Sequence, residues 1–253
     1  MPRFFCGQVC GDTAVVTGED ARHMALSLRM KIGEAVTVCD GAGRDYQCRI
    51  ETIAPEQVLL RVGQSAVSAG EPRVEITLYQ AMPKGDKFES IVQKAVELGA
   101  ARIVPVLTHR CVSRPDEKAM RKKLERYNRI ALEAAKQCGR GRIPQVEPML
   151  HFSQAVERMK CEPLAILFYE NADQPLHQAL RSGVGGRISL MVGSEGGFEP
   201  SEAGFAVENG LMALSLGSRI LRCETAPVAA LAAILYAAGS FDHICPNRIY
   251  GRM

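Results

Sequence analysis

Residues 187–216, RISLMVGSEGGFEPSEAGFAVENGLMALSL, hold the pattern that decides the fold. RISLMV is an apolar run of strand length that stops at Gly193, PSEAGFAVENG reads as a helix, and LMALSL as a second strand. Strand, helix and strand in this order imply a βαβ unit and a parallel sheet. Pro200 suits a first helical turn, Glu199 can cap it, and Glu202 is favourable at the positive end of the helix. The glycine-rich link falls at the carboxyl end of a strand, where open α/β sheets bind ligands. Gly196 and Gly197 would let backbone N–H groups approach a ligand with no Cβ between. The same residues also serve as a plain tight turn.

The alternation extends outward from this unit in both directions. VEITLYQAM from Val74 reads as a strand, KFESIVQKAVELG as a helix closed by Gly99, and RIVPVL as a strand. A long helix follows over 116–138, then the strand LAILFYE and a short helix QPLHQALRS. The last helix, TAPVAALAAILYAAG, is apolar but too short to span a bilayer. Residues 1–70 differ: short apolar runs such as AVTVCD and QVLLRV, broken by Gly, Asp and Pro, predict a small, mainly β module. A helical patch begins near Glu19 and leads to a turn at Gly33, and Ser65–Arg73 reads as a linker. The expected division is 1–70 and 71–253.

Composition narrows the function classes. With 253 residues, 47% of them hydrophobic and 23% charged, the chain has ample material for a core without a metal or disulfide staple. The nine cysteines contain no C-x-x-C pair and no zinc spacing, so reduced cytosolic thiols and no metal are expected. No G-x-G-x-x-G follows a strand and no G-x-x-x-x-G-K-[ST] is present, and Glu195 would repel phosphate. A cationic or neutral ligand suits the loop better. Neither G-x-S-x-G nor H-E-x-x-H occurs, so His151, His177 and His243 are read as structural or surface residues.

A second stretch, LSLGSRILRCETAP (Leu214–Pro227), repeats the architecture. Gly217 breaks the strand, Thr225 can cap the final helix, and Pro227 fits its first turn. Arg219 and Arg222 flank Ile220 and Leu221, so the loop could hold a flat ring against backbone groups, or be a structural crossover. On the long helix, Met120, Leu124, Tyr127, Ala131, Ala134 and Cys138 form one apolar stripe. Lys122, Arg126, Arg129, Glu133 and Gln137 share another face with Arg140, which is either a solvated surface or a phosphate track continued by Arg142.

MVGSEGGFEPSE followed by LSLGSRILRCETAPVAAL resembles the signature of the RsmE family of SPOUT methyltransferases, which use S-adenosylmethionine to methylate N3 of a uracil in 16S ribosomal RNA. MPRFF, DARHMALSLRMKIGEAVTVCDGAGRDYQCRI, QAMPKGDKFESIVQKAVELGAARIVPVLTHR and EAAKQCGRGRIPQVEP carry the resemblance through nearly the whole chain. It implies an N-terminal PUA-like β-barrel, a C-terminal α/β domain with a parallel sheet and a trefoil knot, and a cytoplasmic homodimer with no membrane or metal partner. It implies that Gly193, Glu195, Gly196 and Gly197 form one cofactor loop and Leu216, Gly217, Ile220, Leu221 and Arg222 the next, with Thr225 and Ala226 at its edge. For an enzyme acting on the small ribosomal subunit, Arg3, Phe4, His23, Arg29, Lys84, Lys87, Arg110, Arg126 and Arg140 are the candidate contacts to 16S rRNA.

The sequence departs from the family pattern at Ser194 and Ser218, which stand at prolines, and at Cys223, which stands at a threonine. Loss of two φ restraints implies loops less preorganised for the cofactor. Arg222 is the expected catalytic residue, its permanent charge stabilising the uracil anion. Alternatives are a SPOUT enzyme for another RNA position, C5 chemistry through Cys223, and a non-catalytic assembly factor that binds RNA through the same surfaces.

Overall fold

The computed structural model describes residues 2–181 and 183–242; His243 lies outside them. The described chain forms two compact units, one comprising residues up to Glu71 together with Ala135–Ile143, the other Pro72–Ala134 and the residues from Pro144 on.

The first unit is built on β1 (Arg3–Phe5), β2 (Gln8–Cys10), β3 (Thr13–Thr17), β4 (Ala35–Cys39), β5 (Arg44–Ile53) and β6 (Gln57–Val67). Their spatial order is β1-β4-β5-β6-β3-β2, with β1 and β4 parallel and the other pairs antiparallel. Alternation places Val36 and Val38 of β4, and Val58 and Leu60 of β6, on the buried side with Phe4, Val16, Met24 and Ile50. The helix α1 (Gly18–Arg22) continues into a π-helical turn, His23–Ser27.

The linker expected at Ser65–Arg73 is corrected at its start. Ser65, Ala66 and Val67 belong to β6, opposite Tyr46, Asp45 and Arg44 of β5. Ser68 is buried and its hydroxyl donates to Asp45, so the chain is still fixed at the first residue past the strand.

The second unit contains β7 (Glu75–Ala81), α2 (Lys87–Leu98), β8 (Arg102–Leu107), α3 (Glu117–Cys138, to Ala134 in this unit), β9 (Gln145–Val146) and β10 (Leu150–His151). It continues with α4 (Phe152–Met159), β11 (Leu164–Phe168), α5 (Leu176–Ala179), β12 (Arg187–Val192), α6 (Pro200–Glu208), β13 (Met212–Leu214) and α7 (Ala226–Ala237). The sheet runs β10-β8-β7-β12-β11-β13 with β9 also on β8, and every pair is parallel. β12 lies inside it, Arg187 opposite Glu75 on one side and Ile188 opposite Leu164 on the other. Burial of successive residues from Ile188 to Val192 explains why this strand shows no apolar–polar alternation. Gly99 ends α2 in a left-handed conformation (φ 112°), and a Cβ there would meet Pro72 Cγ at 2.4 Å.

The apolar stripe of α3 faces inward, with Tyr127 packed against Phe88 at 4.6 Å between ring centres, the rings tilted by 38°. The helix α4 was not anticipated, although Phe152, Ala155, Val156 and Met159 carry helical spacing and are all buried. The predicted strand LMALSL is ordered as a strand only over Met212–Leu214. Among the described residues no helix is long and apolar enough to cross a membrane.

Candidate functional site

The carboxyl ends of three neighbouring strands, β12, β11 and β13, surround a cavity of about 580 Å³ in the second unit. The loop after β12 contributes Gly193 through Phe198, and the loop after β13 contributes Ser215 through Leu221 with Cys223. The loop after β11, which the sequence reading did not single out, contributes Tyr169, Glu170, Ala172, Asp173 and Pro175. Ala226 of α7 completes the lining. The strand LAILF offered a signal for the third loop, since parallel strands present their carboxyl ends on one edge.

The glycines of the first loop fit closely into the protein's own packing, most tightly at Gly197. A Cβ on Gly193 would lie 3.1 Å from Gly197 Cα, and one on Gly196 would lie 3.0 Å from Arg110 Cβ. Gly197 has φ +65°, and a Cβ there would meet Glu170 Oε1 at 2.6 Å. Their smallness therefore lets the loop close on itself and pack against Glu170 and Arg110.

Three carboxylates line the cavity, Glu170, Asp173 and Glu195, against one guanidinium, Arg219. Apolar surface comes from Val192, Phe168, Leu216, Ile220 and Leu221. Ser194 is buried in the wall and its Oγ has no partner among the described residues. Such a lining fits a ligand with a flat apolar part and a positive charge, and is unsuited to phosphate.

Ion pairs outside the lining hold the loops. Lys87 Nζ lies 2.8 Å from Glu195 Oε1 and 3.6 Å from Glu224 Oε2, and Lys84 N donates to both oxygens of Glu195 at 3.2 and 3.3 Å. Partial burial pushes the Glu195 carboxyl up, but the hydrogen bonds from Lys87 and from backbone N–H groups outweigh it and hold the group below the usual carboxylate range. Arg110 grips Glu199 with two nitrogens, at 2.8 and 3.2 Å, and donates to Gly196 O at 3.0 Å. That guanidinium holds the Glu199 carboxyl below its ordinary range. Glu202 accepts from Glu199 N at 3.0 Å and from His109 N at 2.8 Å, fixing the start of α6.

Of the residues expected around a cofactor, the cavity gathers Gly193, Glu195, Gly196, Gly197, Leu216, Gly217, Ile220, Leu221 and Ala226. Arg222 and Thr225 do not line it. Arg222 is exposed, and Thr225 precedes α7 with no capping bond from its hydroxyl, contrary to expectation. The buried thiol of Cys223 is pushed up to about 12, chiefly by desolvation. It is protonated at neutral pH and unsuited to nucleophilic attack.

The residues expected to meet RNA divide sharply. His23, Arg29, Lys84 and Arg126 are exposed, Arg126 with an ion pair to Glu89 at 2.7 Å. Arg3, Phe4 and Arg140 are corrected. Arg3 is held by Gly139 O, by Asp45 at 2.6 Å and by Ser68 Oγ at 3.3 Å. Phe4 is a core residue, only 5% exposed, 6.3 Å from His23 between ring centres, so burial leaves it no face to offer a base. Arg140 is 3% exposed and paired with Glu71 at 2.8 Å. Lys87 and Arg110 are half-buried and spend their charge on the cavity loops. His151 and His177 are exposed, as expected of surface histidines.

The RNA methyltransferase domain family matches residues 70–235, and the RNA methyltransferase PUA domain family matches residues 16–63. The ribosomal RNA small subunit methyltransferase E of Bacillus subtilis is 32% identical over 88% of this chain and 90% of its own length. That of Synechocystis is 35% identical over 90% of this chain and 74% of its own. The crystal structure of a ribosomal RNA small subunit methyltransferase E from Neisseria gonorrhoeae bound to S-adenosyl methionine superposes with a TM-score of 0.83 at 32% identity, covering 93% of this chain and 97% of that one. A parallel sheet with its cavity at the strand ends, a PUA domain ahead of it and this span of identity lead to one assignment: the chain belongs to the RNA methyltransferase family, among the ribosomal RNA small subunit methyltransferase E (RsmE) proteins.

Proposed function

We propose that this protein transfers a methyl group from S-adenosylmethionine to N3 of a uracil in 16S rRNA of the small ribosomal subunit. The observation that carries the reading is the acid-lined, partly apolar cavity at the ends of β11, β12 and β13, in a chain whose relatives carry that name and that cofactor. S-adenosylmethionine supplies an electrophilic methyl on a cationic sulfonium. Gly193, Glu195, Gly196, Gly197, Leu216, Gly217, Ile220, Leu221 and Ala226 would hold it, with Glu170 and Asp173 added as negative charge facing the cation. The Cys223 thiol, buried and protonated, disfavours attack on C5 and leaves ring-nitrogen chemistry as the better fit.

N3 of uracil is an imide nitrogen and becomes a nucleophile only as its proton leaves. Arg222 is the residue assigned to the charge that then develops on the carbonyl oxygens. Its guanidinium stands exposed beside the lining residues Leu221 and Cys223, free to meet an incoming base. Because N3 is on the pairing edge, the base must arrive unpaired or flipped. Residues 1–70 are assigned to RNA binding and 71–253 to methyl transfer, with His23, Arg29, Lys84 and Arg126 as surface contacts.

The family's knotted path fits a chain that leaves β11 for β12 and returns past β11 to β13. A homodimer fits the exposed Ile220 (83%) and Tyr236 (76%), side chains that a second copy could cover. A reducing cytoplasm fits described cysteines that no disulfide joins. The test is transfer of label from S-adenosylmethionine to unmodified small subunits, read by nucleoside mass spectrometry. Label in 3-methyluridine is expected, with Arg222→Ala losing transfer while keeping RNA binding. Label in another nucleoside, or full activity of that variant, would overturn the assignment it touches.

A further inference from the structure

The loops after β12 and β13 form two walls of the cavity, yet among the described residues no hydrogen bond or ion pair joins them directly. One side chain reaches both. Lys87 pairs with Glu195 of the first loop at 2.8 Å and with Glu224 of the second at 3.6 Å, and its Nζ lies 4.0 Å from Cys223 Sγ. Lys87 does not line the cavity; it holds Glu195, which does. Its position is electrostatically unfavourable for the helix itself, because it is the first residue of α2, where the dipole disfavours a cation. The two carboxylates it meets would otherwise face each other as like charges.

We propose that Lys87 is a positioning residue that clamps the loops after β12 and β13 into one continuous wall, and so sets the affinity for S-adenosylmethionine without touching it. This rests on the reading of the cavity as the S-adenosylmethionine site. The surface charge of Lys87 is thereby assigned to the loops and withdrawn from the RNA contacts.

Calorimetric titration of the full chain with S-adenosylmethionine, paired with methyl-transfer kinetics, tests this. Lys87→Met is expected to raise Kd by about tenfold, within the usual range of a coupling between sites. KM for S-adenosylmethionine should rise in parallel, with kcat at saturation changed by less than about twofold. Lys87→Arg keeps the charge and should stay within about threefold of wild type. Glu224→Gln cuts one arm only and should weaken binding by less than Lys87→Met does. Lys87→Met that titrates like wild type, or that raises KM for the RNA and leaves that for S-adenosylmethionine unchanged, overturns the clamp. Wild-type protein that binds no S-adenosylmethionine overturns the reading of the cavity and the clamp with it.

Discussion

Arg140 gives the sharpest contrast between a charge read from the sequence and the same charge in the fold. Its guanidinium is 3% exposed and meets Glu71 Oε2 from Nη2 at 2.8 Å and Oε1 from Nε at 3.3 Å. The same Oε1 accepts from the backbone of Gly141 at 2.9 Å and Arg142 at 3.0 Å. Arg140→Met removes one member of a buried pair, a change that costs about 3–5 kcal/mol. The two backbone N–H groups still solvate the Glu71 carboxylate, which places the expected loss near the lower end, about 3 kcal/mol. For a unit of about 60–100 residues each kcal/mol moves the midpoint by about 4–8 °C. Scanning calorimetry should therefore show the N-terminal unit melting at least about 10 °C lower. Glu71→Gln should behave alike, because it leaves the Arg140 charge buried with a weaker partner. Were Arg140 an RNA contact instead, its loss would weaken RNA binding at an unchanged melting temperature, and Glu71→Gln would be silent. That pair of results would refute the structural account.

The cavity offers further tests. Gly197→Ala places a methyl in a backbone conformation that costs an L-residue about 1–2 kcal/mol, and sets it 2.6 Å from Glu170 Oε1. Affinity for S-adenosylmethionine should fall about tenfold or more by calorimetry, and Glu170→Ala in the same chain should recover part of the loss. Gly217→Ala, at φ +106° with open space around the new methyl, carries the conformational cost alone and should be milder. Cys223, with its thiol raised to about 12, should resist alkylation at neutral pH, and Cys223→Ala should retain methyl transfer. The raised value also sets a sign. The stability it contributes is complete below the unfolded thiol value of about 8.5 and is lost as pH climbs from there toward about 12. Alkaline melting curves of Cys223→Ala should decline less across that window than those of wild type.

What could be read from the sequence followed where a residue's surroundings are dictated locally. Ile188, Leu190, Met191 and Val192 are apolar because β12 lies inside the sheet with residues of both faces buried, so the run was legible without alternation. Gly99 ends α2 for a reason written in its own backbone. Ser65–Val67 is exposed and runs into a small, Gly- and Pro-containing stretch, like a linker; its strand character comes from β5 across the ladder, which no local pattern records. The loop Tyr169–Asp173 carries no glycine signature, and only its place at the end of β11 makes it a wall of the site. Side-chain type is a weak guide to which side of the surface a charge will take. Arg29 is exposed with φ +50°, whereas Arg3 and Arg140 are drawn inward by Asp45 and Glu71. For Phe4, a three-residue strand with its middle position buried decided the matter.

The order β12-β11-β13 bears on how such a site can be inherited. The strand that comes first in the chain lies between the two that follow it, and each carries one wall of the cavity. A recombination event that exchanged any single strand with its loop would bring one wall and strand the other two against unfamiliar partners. The cavity is therefore not a cassette. Its lining lies within Leu164–Ala237, yet Glu195, Glu224 and Glu199 are held by Lys87 and Arg110 from outside that block, so a transplanted block would need those partners as well.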